Sequence, residues 1–162
     1  MKIIVLLGGN LGDSKWLFQE SIRLFEEYGY KIMAKSSLYA SEAWGYASKN
    51  VFLNQVLILK NEKKVDEILG DCLQIEKKLG RERSDNQEYT DRPIDIDILY
   101  IDEQIIESEK LTLPHPRLHL RRFTLAPLSE ILPDFIHPIL KKDHKSLLLL
   151  CQDRLKVEVV AE

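Results

Sequence analysis

The chain has 162 residues, 44% of them hydrophobic and 30% charged, with 23 Lys and Arg against 26 Asp and Glu for a net charge of −3. Those values are ordinary for one soluble globular domain, residues 1–162, with a real core. They leave no global footprint for binding nucleic acid, and basic residues gather only locally, as Arg81, Arg83 and Arg92 and then Arg117, Arg121 and Arg122. Such clusters suit a small anionic ligand better than a polymer.

The first element is apolar, residues 2–7, and reads as a strand buried on both faces. It is too short to cross a bilayer and lacks the cleavage region of a signal peptide. The turn Gly8-Gly9-Asn10-Leu11-Gly12 follows. A helix then begins with Asp13 or Ser14 as N-cap, carries Leu17, Ser21, Leu24, Phe25 and Tyr28 at helical spacing, and ends at Gly29. Residues 31–40 and 51–60 read as the second and third strands, joined by a loop that contains Trp44. A second helix spans about 64–79, with Val65, Ile68, Leu69, Cys72 and Leu73 as its stripe and Gly80 as its stop.

Residues 81–93 form a charged loop, longer and more polar than most connections, and loops of that kind beside an active strand often act as lids. The strand Arg92-Pro93-Ile94-Asp95-Ile96-Asp97-Ile98-Leu99-Tyr100 comes next. A short strand near 104–106, short helices near 117–121 and 124–131, an apolar helix at 145–151 and a strand at 156–160 complete the order. The expected fold is α+β, a ferredoxin-like, largely antiparallel sheet with helices on one face and long active-site loops. Cys72 and Cys151 each lie in an apolar helical pattern and read as buried free thiols, which suits a reducing, cytoplasmic setting.

The most informative stretch is the strand with Asp95 and Asp97. Side chains alternate along a strand, so the two carboxylates share one face while Ile94, Ile96 and Ile98 enter a core. Paired carboxylates raise each other's pKa unless a cation lies between them, and Mg²⁺ prefers such oxygens while keeping room for water and phosphate. The plainer alternative is an edge strand with a solvated charged face. Arg81, Arg83 and Arg92 offer planar forks for phosphate oxygens.

Glu76 falls on or beside the buried stripe of its helix, where it needs either an arginine partner (Arg81 or Arg83) or a ligand such as a nucleobase or ribose. Phe52 and Asn54 share a strand face, and with Trp44 and Phe123 they suit a flat heterocycle, the rings stacking and the amide reading an edge; core packing is the alternative for each ring alone. His115, between Pro114 and Pro116, is aimed by a stiffened loop and can face a phosphate. No Gly-rich phosphate loop, nucleophile elbow or zinc set is present, so metal and arginine electrostatics remain as the chemistry.

Together these residues resemble a known family. Gly80-Arg81-x-Arg83, Arg92-Pro93-Ile94-Asp95-Ile96-Asp97-Ile98-Leu99, Leu113-Pro114-His115-Pro116-Arg117, Arg121-x-Phe123, Ala126-Pro127-Leu128 and Phe52-Leu53-Asn54 occur in the order and near the spacing of the 6-hydroxymethyl-7,8-dihydropterin pyrophosphokinases of folate biosynthesis. The resemblance implies transfer of the β,γ-pyrophosphoryl group of ATP to the pterin's hydroxymethyl oxygen, with AMP released. It implies that Asp95 and Asp97 hold two Mg²⁺ ions and that Arg81 and Arg92 act on the transferring group. It places Glu76, Arg83, Ile98, Lys110, Thr112, His115 and Arg121 on the nucleotide side. Ser41, Trp44, Phe52, Asn54, Asp95 and Phe123 fall to the pterin pocket, with the pterin ring between Phe52 and Phe123.

Small-molecule partners are then expected, with no nucleic acid, no membrane and a monomeric state. The family often has Gly-Ser-Asn where this chain has Gly8-Gly9-Asn10, a difference expected to be harmless in a turn. Its lid often carries Arg-Trp-Gly-Pro-Arg where this chain has Glu88-Tyr89-Thr90-Asp91-Arg92. A nucleotidyltransferase with paired aspartates is the rival enzyme, separated by its pyrophosphate product. A binding module without turnover is the rival from another class.

Overall fold

The computed structural model describes residues 1–44, 50–81 and 91–160. The sheet is antiparallel throughout and is built around β1 (Lys2–Gly9). On one side β1 pairs with β5 (Asp95–Ile101), and on the other with β4 (Phe52–Lys60). Beyond β4 lie β2 (Lys31–Lys35) and β3 (Tyr39–Ser41), both paired to it, and β8 (Val157–Val159) pairs with β3. Two helices, α1 (Ser14–Glu27) and α2 (Val65–Lys78), complete a β-α-β-β-α-β path in which the second strand is split. With the split strand counted once, the order places the first strand between the last and the third, which is the ferredoxin-like arrangement expected from the sequence. A small second sheet pairs β6 (Ile106–Glu107) with β7 (Thr112–Leu113).

Helices cover both faces of the sheet, where one covered face was expected. Ile3, Val5 and Leu7 join Leu57, Leu59, Phe18, Phe25, Ile68 and Ile75 in one buried cluster beneath α1 and α2. Ile4 and Leu6 join Val56, Ile58, Leu125, Leu128 and Leu147 in another, beneath α3 (Arg122–Ile131) and α4 (His144–Leu150). The cause is the uninterrupted apolar run of the central strands: side chains alternate, so an all-apolar strand presents hydrophobic surface on both sides and needs cover on both.

The expected strand 31–40 is divided. Between β2 and β3, Ser36 replaces a regular ladder: its N–H donates to the Val56 carbonyl at 2.9 Å, its hydroxyl accepts from the Val56 N–H at 3.0 Å, and Gln55 Nε2 donates to its carbonyl at 2.8 Å. The helix ends follow the sequence signals. Asp13 caps α1 by accepting from the Trp16 N–H at 3.1 Å, and Gly29 and Gly80 take positive φ just past α1 and α2. The segment 117–121 forms only a 3₁₀ turn, Leu118–Leu120. Helix α3 starts at Arg122, two residues before the expected start, because Asp153 accepts from the Arg122 N–H at 3.0 Å and its carbonyl accepts from Arg122 Nε at 3.1 Å. Both cysteines are buried free thiols, Cys72 in α2 and Cys151 at the end of α4.

Candidate active site

Strand β5 decides the site's geometry. Ile94, Ile96 and Ile98 enter the core under α1 and α2, so Asp95 and Asp97 project from the opposite face. The register then shifts, with Val5 opposite Ile98 and Ile4 opposite Tyr100, and this bulge turns both Leu99 and Tyr100 into the other core. The first half of β5 therefore presents two carboxylates and the second half presents packing side chains on the same face.

Three guanidiniums meet the two carboxylates. Arg81, just past α2, bridges Glu76 at 2.8 Å and Asp95. Arg92 Nε lies 3.5 Å from Asp95 Oδ2, and Arg121, at the start of α3, lies 3.8 Å from Asp97 Oδ2. The carboxyl of Asp97 is pushed up to about 7, first by burial and then by the charge of Asp95, with Arg121 pulling the other way. The nearby cations thus leave the negative charge at this position incompletely compensated.

Glu76 is 2% exposed and accepts from both Arg81 and the Ile96 N–H, the latter at 2.8 Å. It ties α2 to the outer edge of β5 and fixes Arg81. The imidazole of His115 sits beside this group. Its backbone N–H donates to the Leu99 carbonyl at 3.0 Å, and its Nδ1 accepts from the Arg117 N–H at 3.1 Å. Burial, reinforced by Arg121, lowers its pKa to about 4, so near neutral pH the ring is uncharged with its proton on Nε2. That nitrogen is a neutral donor suited to a phosphate oxygen.

Aromatic rings line the same region. The guanidinium of Arg92 lies 5.4 Å from the centre of the Phe52 ring, and that of Arg121 lies 4.7 Å from Trp44 and 5.6 Å from Phe123. Planar cations thus lie over the rings expected to flank a flat heterocycle. Asn54 is buried on β4 opposite Gly8, and its Nδ2 donates to the Ser41 hydroxyl at 2.8 Å, so both polar side chains are fixed in orientation.

The remaining expected residues are spread around this centre. Thr112 lies on β7, half-buried, and Lys110 is exposed just before it. The side chain of Ile98 is committed to the core, which restricts any nucleotide contact to its backbone. Arg83, Glu88 and Tyr89 lie outside the described residues.

One expectation is corrected. Gly9 is the last residue of β1 and not part of a loose turn, and a Cβ there would fall 2.3 Å from the Pro93 carbonyl oxygen. The segment entering β5 packs directly on this glycine, so the position is not neutral. Asn10 was absent from the expected site, yet its Oδ1 accepts from the Arg92 N–H at 2.8 Å, and the Arg92 carbonyl accepts from the N–H groups of Asn10 and Leu11 at 2.9 and 3.2 Å. Its sequence signals were its place in the turn after β1 and its match to the asparagine of the family's Gly-Ser-Asn.

A sheet edge with paired carboxylates, converging arginines, an uncharged imidazole and rings faced by guanidiniums is suited to a phosphorylated ligand beside a flat one. The profile of the 7,8-dihydro-6-hydroxymethylpterin-pyrophosphokinase family matches residues 4–133, and the chain belongs to that family. The 2-amino-4-hydroxy-6-hydroxymethyldihydropteridine pyrophosphokinase of Porphyromonas gingivalis is 39% identical over 141 residues, covering 85% of this chain and 95% of its own length. The enzyme of the same name from Aquifex aeolicus is 38% identical over 139 residues, covering 86% and 85%.

Among solved structures, HPPK-DHPS of Plasmodium falciparum, wild type with pteroate, superimposes with a TM-score of 0.72 at 16% identity. That match covers 92% of this chain and 42% of the longer one, and it supports the fold. The protein is a pyrophosphokinase of folate synthesis, transferring the pyrophosphoryl group of ATP to hydroxymethyldihydropterin. Among the described residues no helix is long and apolar enough to cross a membrane.

Proposed function

We propose that the transfer depends on Mg²⁺ held by Asp95 and Asp97, and that the β,γ-pyrophosphoryl group moves to the pterin hydroxymethyl oxygen with release of AMP. The observation that carries this reading is the pair of carboxylates on one face of β5, ringed by Arg81, Arg92 and Arg121. The donor set fits the ion. Both groups are hard oxygen donors, Asp97 is driven up in pKa by burial and then by the charge of Asp95, and no described group of three or more His, Cys, Asp or Glu is placed to enclose a metal. Two carboxylates with the remaining positions left to water and phosphate is the usual Mg²⁺ arrangement. When bound, up to two such ions supply positive charge to the triphosphate and to the attacking and leaving oxygens.

The protein's own groups do the positioning. Arg81 and Arg92 approach Asp95 from two sides, where they can grip the transferring phosphates through their forks. His115 offers a neutral N–H to a phosphate oxygen, and Arg121 adds charge beside Asp97. Glu76, Ile98, Lys110 and Thr112 serve the nucleotide side, with Glu76 acting through Arg81 and Ile98 through its backbone, and Arg83 is assigned to the same side. Ser41, Trp44, Phe52, Asn54 and Phe123 serve the pterin, Asn54 oriented by Ser41 to read its edge. Arg81 and Arg92 flank the two oxygens of Asp95, which favours a binding and orienting role for this carboxylate. A monomer in the cytoplasm is part of this reading.

The direct test is incubation with ATP, Mg²⁺ and the reduced pterin alcohol. AMP and pterin diphosphate should form in equal amounts, with turnover lost when Mg²⁺ is chelated. Release of pyrophosphate, or turnover in chelator, would overturn the reading.

A further inference from the structure

We propose that Asp91 is a positioning residue, a carboxylate staple that fastens the start of the pterin-binding strand β4 and the turn after β1 to the backbone of Arg92. Each oxygen of Asp91 takes one amide. Oδ1 accepts from Asn10 Nδ2 at 2.7 Å, and Oδ2 accepts from Asn50 Nδ2 at 2.8 Å. The orientation of Asn10 is fixed independently, because its Oδ1 accepts from the Arg92 N–H. Asn10 therefore holds residues 91 and 92 together, with its two ends doing opposite work.

The consequences run in two directions. Arg92, next in the chain, spans the two halves of the site, with its Nε toward Asp95 and its guanidinium over the Phe52 ring. Asn50 lies two residues before Phe52. The staple thus sets the backbone on both sides of the Arg92–Phe52 contact and fixes the metal-side arginine relative to the pterin-side ring. A carboxylate suits the position because it presents an accepting oxygen to each of the two amides, whereas a side-chain amide would present an oxygen to one and an N–H group to the other. The family resemblance puts proline at this position in many members, so the staple is a feature of this chain's own sequence. It rests on the proposed roles of Arg92 and Phe52, since the geometry of reacting groups tolerates little displacement.

The test uses the intact protein in the AMP-forming assay. Asp91→Ala should lower kcat about tenfold or more and change the KM for ATP less than about threefold, the signature of lost positioning with binding kept. Asp91→Asn can be accommodated by a half-turn of the Asn50 amide, whereas Asn50→Asp sets two carboxylates face to face and should be slow. Combined, the new amide at position 91 accepts from Asn10 and donates to the new carboxylate at position 50, and kcat should return to within about threefold of the parent. Asp91→Ala should also cost nothing further in an Arg92→Ala background.

Parental kcat in Asp91→Ala, a combined variant no faster than its slower single, or an undiminished loss in the Arg92→Ala background would each overturn the staple. Parental kcat in Arg92→Ala itself would overturn the role of Arg92 and the staple with it, which separates failure of the site from failure of Asp91.

Discussion

At Asp97 burial and the charge of Asp95 act together, and both disfavour the ionised form. In the proposed reading a bound cation would offset that cost. Asp97→Asn keeps the shape and removes the charge. It should lower turnover by about two to three orders of magnitude, as loss of a charge-stabilising contact at a reacting phosphate does, while the melting temperature holds or rises. Mg²⁺ should raise the melting temperature of the parent and not of the variant. Turnover within about threefold of the parent would remove Asp97 from the site.

Gly9 shows the same economy at the backbone. Its absent side chain lets the Pro93 carbonyl approach, and that approach delivers Arg92 to the site. Gly9→Ala sets a Cβ against backbone that cannot rotate away, so it should cost about 1–3 kcal/mol in urea denaturation and lower turnover as Arg92 is displaced. Unchanged stability and activity would mean that the contact is slack.

At the scale of elements, β5 and the helices above it build a polar cluster inside the second core. The Tyr100 hydroxyl lies 2.9 Å from His144 Nε2, while His144 Nδ1 lies 2.8 Å from the Leu132 carbonyl. A carbonyl only accepts, so Nδ1 carries the proton and Nε2 accepts from the tyrosine. Tyr100→Phe removes that donor and leaves a buried acceptor without it, at a cost of about 1–3 kcal/mol by denaturation, with turnover little changed.

His137, T-shaped against Tyr100 and near His119, has its Nδ1 engaged by the N–H groups of Ile139 and Leu140 at 3.2 and 3.0 Å. Burial lowers both His137 and His144 to about 4. Asp143 pulls His144 upward, and His119 and His144 push His137 further down, so neighbouring charge modifies the effect without reversing it.

Across the whole molecule these histidines set an acid limit. Unfolded histidine titrates near 6.5, so between about pH 6.5 and 4 the unfolded chain binds protons that the folded one refuses. His115 behaves alike, while Asp97, raised to about 7, stays protonated in the fold where the unfolded chain ionises it and so opposes with one slope of the same size; with three histidines against one aspartate, stability should on balance fall from about pH 6.5 toward pH 4, each group contributing up to about 1.4 kcal/mol per pH unit. Urea midpoints measured at intervals over that range test the sign. A flat profile would mean that the rings are charged in the fold. The two-sided sheet matters here, because the same strand pair β1–β5 joins the acid-sensitive core beneath α3 and α4 to the edge that carries Asp95 and Asp97.

Much of the function was legible without coordinates. Asp-x-Asp on an alternating strand, with arginines and a proline-flanked histidine at fixed spacings, pointed to a phosphate site, and alternation alone places both carboxylates on one face, as the fold shows. The helix ends were legible because Asp13, Gly29 and Gly80 act through local backbone geometry. Three matters were settled only by tertiary structure. The apolar run of β1 signalled burial on both faces, but nothing local told which segments supply the second layer. Ser36 divides a predicted strand because Val56, twenty residues away, offers it hydrogen bonds. The joining of Asn10, Asn50 and Asp91 depends on three loops meeting in space. Periodicity and capping are properties of neighbours in the chain, and the sequence determines those; contacts between distant segments depend on how the sheet closes, and only the folded molecule decides them.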